Sequence, residues 1–148
     1  AGHNMKRWLN KTQYEGLDTA RAKETAYGIA GIGPKDVDVF ECYDAFTINV
    51  VMQLEGYDFC GEGEGGPFVA EGNTTQHGSV PTNTAGGQVS GWYIMGMTPI
   101  TEGIKQMRGE AGETQVQNAQ VALVTGHGGG FGVQNSWAHS CLVLGTAE

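Results

Sequence analysis

The chain has 148 residues, room for one core-bearing domain, and a formal charge of −8 with only 8 Lys and Arg. So few cations exclude a surface built for nucleic acid or anionic membrane, and no window is apolar for long enough to span a bilayer. Cys42, Cys60 and Cys141 stand at unrelated spacings, which suggests neither a disulfide framework nor a zinc knuckle and sets a reducing, cytoplasmic compartment as the expectation.

In chain order, LDTARAKETAYGIAGIG puts Leu17, Ala20, Ala26, Ile29 and Ala30 at helical spacing, and Gly31, Gly33 and Pro34 end the predicted helix. PKDVDVFECYD then carries Val37, Val39 and Phe40 and predicts a short buried strand. In AFTINVVMQLEGYDF, Phe46, Val50, Val51 and Leu54 recur with a helical period, and Asp44 is the expected N-cap. Tyr43 and Asp44 therefore fall where a strand turns into a helix, the usual ligand position in α/β sheets.

From Cys60 to Asn83 no period survives, and GEGEGGPFVAEGNTTQHGSVPTN reads as a long loop of the kind that forms lids and binding loops. The pair Gly86-Gly87 predicts a turn that leads into SGWYIMGMTP. A helix is expected through Ile100, Ile104 and Met107, broken at Gly109 and Gly112. AQVALVTG is a continuous apolar run and predicts a strand; GHGGGFG is expected to turn it, and SWAHSCLVLG to return with Trp137, Cys141 and Val143 at alternating positions. The sum is one α/β layered domain over 1–148, a mixed sheet flanked by helices, without internal repeat or linker.

The glycine clusters do not read as nucleotide loops. GEGEGG has no Lys and two glutamates, which repel phosphate, and GHGGGFG precedes a strand where a dinucleotide fingerprint opens a helix. His3, His77 and His139 are too scattered for a metal site, and none is expected. Taken singly, Tyr43 or Tyr93 reads as a half-buried ring with a satisfied hydroxyl, and Trp92 as packing or pocket wall.

Together the motifs say more. CYDAF at the strand-to-helix turn, a glycine pair followed by GWYIMG, and ALVTGHGGG ending a strand resemble the C-terminal half of the thiolase superfamily, more narrowly the sterol-carrier-type thiolases or lipid-transfer proteins. They occur in the family's order and span nearly the whole chain. The resemblance implies a duplicated fold of two similar α/β halves, with the nucleophilic cysteine in the N-terminal half. This chain is then expected to be half of an active site within a longer enzyme.

The departures define the chemistry. Where thiolases show Asn-Glu-Ala-Phe or His-Asp-Cys-Phe, this chain has Tyr43-Asp44-Ala45-Phe46; where they show Gly-His-Pro, it has Gly91-Trp92-Tyr93; and Gly126-His127-Gly128 lacks the cysteine that precedes the glycine run. Losing those three polar groups should abolish thiolytic and Claisen chemistry. The pattern resembles the side-chain-cleaving aldolases of steroid degradation, which split a β-hydroxyacyl-CoA into a ketone and a shorter acyl-CoA.

That resemblance implies Tyr43 and Tyr93 as a joint acid–base pair, with Tyr93 assigned as base and Tyr43 as acid, and His127 as a relay or thioester-binding group. It implies Asp44, Gly86, Gly87, Trp92, Gly128 and Gly129 as residues lining the substrate. Coenzyme A enters as part of the substrate, with no covalent cofactor. The implied partners are the N-terminal half, a second copy in a homodimer, and a protein with an OB-fold of the DUF35 type. Two alternatives stay open: a degenerate half that only binds acyl-CoA or holds a dimer, and a conventional thiolase, which would require a reactive cysteine.

Overall fold

Val39, Phe40, Glu41 and Cys42 are all buried, as in a strand covered on both faces, and they form β1 (Val39–Cys42) at the centre of the domain. The computed structural model describes residues 19–129 and 136–146. The expectations for His3, for Leu17, for the turn at 130–132 and for the Trp137 side chain lie outside the described residues. β1 pairs in parallel with β2 (Val121–Gly129), which pairs antiparallel with β3 (Ser136–Gly145), giving a mixed sheet of order β1-β2-β3.

The period of two in the strands sorts the core into two layers. Phe40 and Cys42 pack with Tyr27 of α1 (Ala20–Ala30), with Leu54 of α2 (Thr47–Gly56), and with Tyr57 and Leu123. Val39 faces the opposite way, onto Met107 of α4 (Met97–Arg108), Ala119 and Ala122. Helices thus cover both faces, as the sequence predicts. Full burial of rings such as Phe40 and Tyr57 contributes roughly 1.5–3 kcal/mol each. α4 comes close because Gly103 has no side chain; a Cβ there would stand 2.6 Å from Val124 Cγ2.

The remaining edge of β1 is not open. Phe40 N–H donates to the Pro81 carbonyl at 2.8 Å, and Asn83 N–H donates to the Phe40 carbonyl at 3.0 Å. Asn83 Oδ1 accepts the Cys42 N–H at 2.8 Å. The chain returning from its long excursion is therefore laced parallel to β1, and Thr84 onward emerges beside the carboxyl end of that strand.

Three local expectations need correction. The excursion contains a short helix, α3 (Gly65–Ala70), anchored where Glu55 Oε1 accepts the Gly65 N–H at 2.9 Å. Gly65 is required there, since a Cβ would meet the Val51 carbonyl oxygen at 2.8 Å. The Gly126-His127-Gly128 segment is not a turn, because Ser140, His139 and Ala138 pair opposite it and carry β2 on to Gly129, with a bulge between Gly128 and Gly129. Asp44 does not cap α2: the N-cap position belongs to Phe46, which makes no side-chain cap bond, and the Asp44 carboxylate is used elsewhere.

Candidate active site

β1 ends at Cys42, so Tyr43 is the first residue beyond the strand. Its backbone is held on both sides: Tyr43 N–H donates to the Thr125 carbonyl at 3.1 Å, and Gln53 Nε2 donates to the Tyr43 carbonyl at 2.8 Å. Gln53 is itself fixed, its Oε1 accepting the Thr125 hydroxyl at 2.8 Å. A fully buried glutamine of α2 thus couples the start of the site to the sheet.

Tyr93 arrives from the other direction. Gly86 and Gly87 both adopt left-handed φ, 87° and 62°, and start a π-helical turn, Gly87–Gly91. Gly87 must lack a side chain for a second reason, since a Cβ would collide with the Asp44 carboxylate. That carboxylate accepts the Gln88 N–H at 2.9 Å on Oδ1 and the Val89 N–H at 3.3 Å on Oδ2. Gln88 Nε2 adds a third, longer bond at 3.4 Å. Beyond the turn, the buried Thr98 hydroxyl donates to the Trp92 carbonyl and accepts the Ile94 N–H, both at 3.1 Å, so it brackets the backbone of Tyr93.

The outcome is that the phenols of Tyr43 and Tyr93 come within range of each other. Interaction with the Tyr93 phenol, ahead of burial, pushes the Tyr43 phenol up to about 12. Tyr93 is 60% exposed and Trp92 47% exposed, and Ile94, Met95 and Met97 continue an apolar rim from them. An apolar recess of about 480 Å³ opens beside that rim, walled by Ile94, Met97, Ile100, Thr125 and Leu142.

His127 stands near Tyr43, ring centroids 6.2 Å apart, and its own ring lies 5.6 Å from that of His139. Burial lowers the pKa of both imidazoles, that of His139 to about 4, so both are neutral at pH 7. His139 looked unconnected in the sequence; only the β2–β3 register, which sets it opposite His127, brings it in. Gly128 and Gly129 follow in β2, opposite Ala138 and Ser136.

Behind the site lies a polar cluster that no local pattern announces. The Thr84 hydroxyl is 2.8 Å from Glu41 Oε1 and 2.8 Å from Glu102 Oε1, and Gln106 Nε2 donates to Thr84 Oγ1 at 2.9 Å. A hydroxyl has one proton to donate, so one of the two carboxyls must carry a proton of its own. Glu41 is that group: burial, ahead of its other causes, pushes its pKa up to about 8. No thiol is activated in comparison. Burial pushes Cys42 and Cys60 up, and Cys141 up to about 12.

Residues 3–145 match the family model described as thiolase C-terminal domain-like. The chain belongs to that family. Among relatives, sterol carrier protein 2 of Rattus norvegicus is 38% identical over 112 residues, covering 73% of this chain and 20% of that protein. A 17-hydroxy-3-oxo-4-pregnene-20-carboxyl-CoA lyase of Mycobacterium tuberculosis is 41% identical over 116 residues, 78% of this chain and 28% of the lyase. An acetyl-CoA acetyltransferase of Methanothermobacter thermautotrophicus is 34% identical over 114 residues, 75% of this chain and 30% of the transferase. The solved Ltp2-ChsH2(DUF35) aldolase superposes with a TM-score of 0.85 and 29% identity, over 99% of this chain and 38% of that one.

This thiolase C-terminal-like domain thus spans well under half the length of the proteins it resembles. Its relatives are enzymes of more than one reaction type, including a lyase and an acyltransferase. Among the described residues, no helix is long and apolar enough to cross a membrane.

Proposed function

We propose that the complete protein containing this domain is a carbon–carbon lyase that cleaves a β-hydroxyacyl-CoA by a retro-aldol step. One observation carries the reading: two phenols from separate loops, Tyr43 and Tyr93, come close enough for Tyr93 to be the first cause of the raised Tyr43 pKa. In the forward step the base removes the β-hydroxyl proton, the carbonyl of the ketone product forms, and the bond between the α- and β-carbons breaks. Its electron pair passes into the thioester enolate, which the acid then protonates at the α-carbon. Atoms and electrons balance without a covalent enzyme intermediate, in keeping with three thiols that burial keeps protonated.

Tyr43, the less exposed phenol and pushed up to about 12, fits the acid; Tyr93, 60% exposed, fits the base. His127, neutral and tilted against the Tyr43 ring, fits a relay or a hydrogen-bond partner for the thioester oxygen. Trp92 and the apolar rim fit a hydrophobic acyl group, and the similarity to a steroid-carboxyl-CoA lyase supports a steroid side chain as that group. Gly86, Gly87, Gly128 and Gly129 let backbone come near the thioester. The likeness to an aldolase solved with a DUF35 component supports a partner of that type, beside the N-terminal half and a second copy.

The test uses the complete protein and a steroid-type β-hydroxyacyl-CoA. Tyr43→Phe and Tyr93→Phe are each expected to lower kcat by about 10²–10⁴ with KM nearly unchanged, the range for loss of a general acid or base. Full cleavage by either variant would remove the assignment and favour a domain that binds acyl-CoA without acting on it.

A further inference from the structure

Asp44 follows Tyr43 directly, yet its bonds go to the segment that carries Tyr93. The side chain is 5% exposed, and both oxygens are engaged by Gln88 and Val89 of the π-helical turn. A carboxylate so occupied has little left to offer a ligand. Gly87, the residue that starts the turn, has its Cβ position filled by this same carboxylate, so the contact is built into both sides. From Val89 the π-helical turn runs to Gly91, and Trp92 and Tyr93 follow it directly. Asp44 bonds to this stretch before Tyr93, and Thr98 bonds around it.

We propose that Asp44 is a positioning residue for Tyr93. It converts the place of Tyr43 at the end of β1 into the place of Tyr93, because one two-residue unit, Tyr43-Asp44, supplies a phenol and the clasp that brings the other phenol to it. Backbone N–H groups bonded to an ionised carboxylate are among the stronger protein hydrogen bonds, and displacement of a reacting group by a fraction of an ångström is felt directly in rate. The catalytic meaning of the clasp rests on the lyase reading; the clasp itself does not.

The experiment has two arms, both in the complete protein. Amide exchange read by mass spectrometry on a peptide covering 86–91 is expected to quicken by about 10-fold or more in Asp44→Ala, while β1 stays protected. In steady-state cleavage, Asp44→Ala is expected to lower kcat by about 10-fold or more with KM within about 2-fold, and Asp44→Asn, which keeps one acceptor oxygen, to recover part of the loss. The decisive comparison is in the Tyr93→Phe background, where Asp44→Ala should cost nothing further, since a residue acting through a hydroxyl has no effect once it is gone. An equal fold-loss in both backgrounds, or unchanged exchange at 86–91, overturns the proposal. If Asp44→Ala does not fold, Asp44→Asn decides by the same two readouts. If Tyr93→Phe alone leaves cleavage intact, the lyase reading falls, and the exchange arm still accepts or rejects the clasp.

Discussion

Glu41 sits within β1 with 1% of its surface exposed, between a phenylalanine and a cysteine that are buried too. Its carboxyl keeps a proton to about pH 8, whereas an unfolded glutamate loses it near 4.5. The folded form therefore binds more protons than the unfolded form between those values, and stability falls as pH rises through that window. The contribution is complete below about 4.5 and lost above about 8. Glu41→Gln, which mimics the protonated acid, should remove this slope. Urea denaturation at pH 5 and pH 8.5 is expected to show the variant gaining on the wild type at the higher pH, by roughly 3–4 kcal/mol if the whole window is realised. A difference between the two proteins that stays constant across the range would mean that Glu41 is ionised in the folded state. At this scale little was legible. The tyrosines stood out only because known motifs marked their positions, while nothing in the predicted short buried strand singled out Glu41, whose proton is kept by a burial that only the packed fold creates.

Elements were easier to read than their ends. The apolar run AQVALVTG and the period in ITEGIKQM located β2 and α4, because both lie against the core and their patterns record it. The failures came where a partner overrides local propensity. GGPFVA closes into α3 because Glu55 receives its first N–H, and GHGG stays extended because β3 lies opposite. Asp44 looked like a cap because the spacing suits one, and the glycine pair that takes the carboxylate instead is distant in sequence. The start of α4 invites a direct test. Thr98 is 2% exposed and bonds across Tyr93 from Trp92 to Ile94. Thr98→Val keeps the shape and drops both bonds, leaving a part-buried N–H and a part-buried carbonyl without that partner. A stability loss of about 1–3 kcal/mol is expected in chemical denaturation, with a shifted Trp92 emission. An unshifted emission would show that the Trp92 loop keeps its place without Thr98.

Over the whole molecule, several large apolar side chains are open to solvent. Phe46, Ile48, Val89, Trp92, Ile94, Met95 and Met97 are each about half exposed or more, and Ile94, Met95 and Met97 line the apolar recess. Exposed apolar surface of this extent marks a face that other protein covers. The 148-residue domain alone is expected to bind a hydrophobic dye strongly and to show no cleavage, and the complete protein to bind the dye weakly. Equal dye binding would mean that the rim stays open. The fold class was legible at this scale because the order of elements survives errors in any one of them.

The lacing of Phe40, Pro81 and Asn83 along the edge of β1 also makes the site tolerant of a broken chain. Residues 61–64 form an exposed turn in which the nearest bonds are internal, Glu64 N–H to the Gly61 carbonyl and Gly61 N–H to the Glu64 carboxylate. A single cut between Glu62 and Gly63 would put Tyr43 on one fragment and Tyr93 on the other, with the sheet still joining them. The two fragments should elute together under native conditions and separate in urea, so the proposed catalytic pair could be prepared as complementing halves, each carrying its own labelled tyrosine.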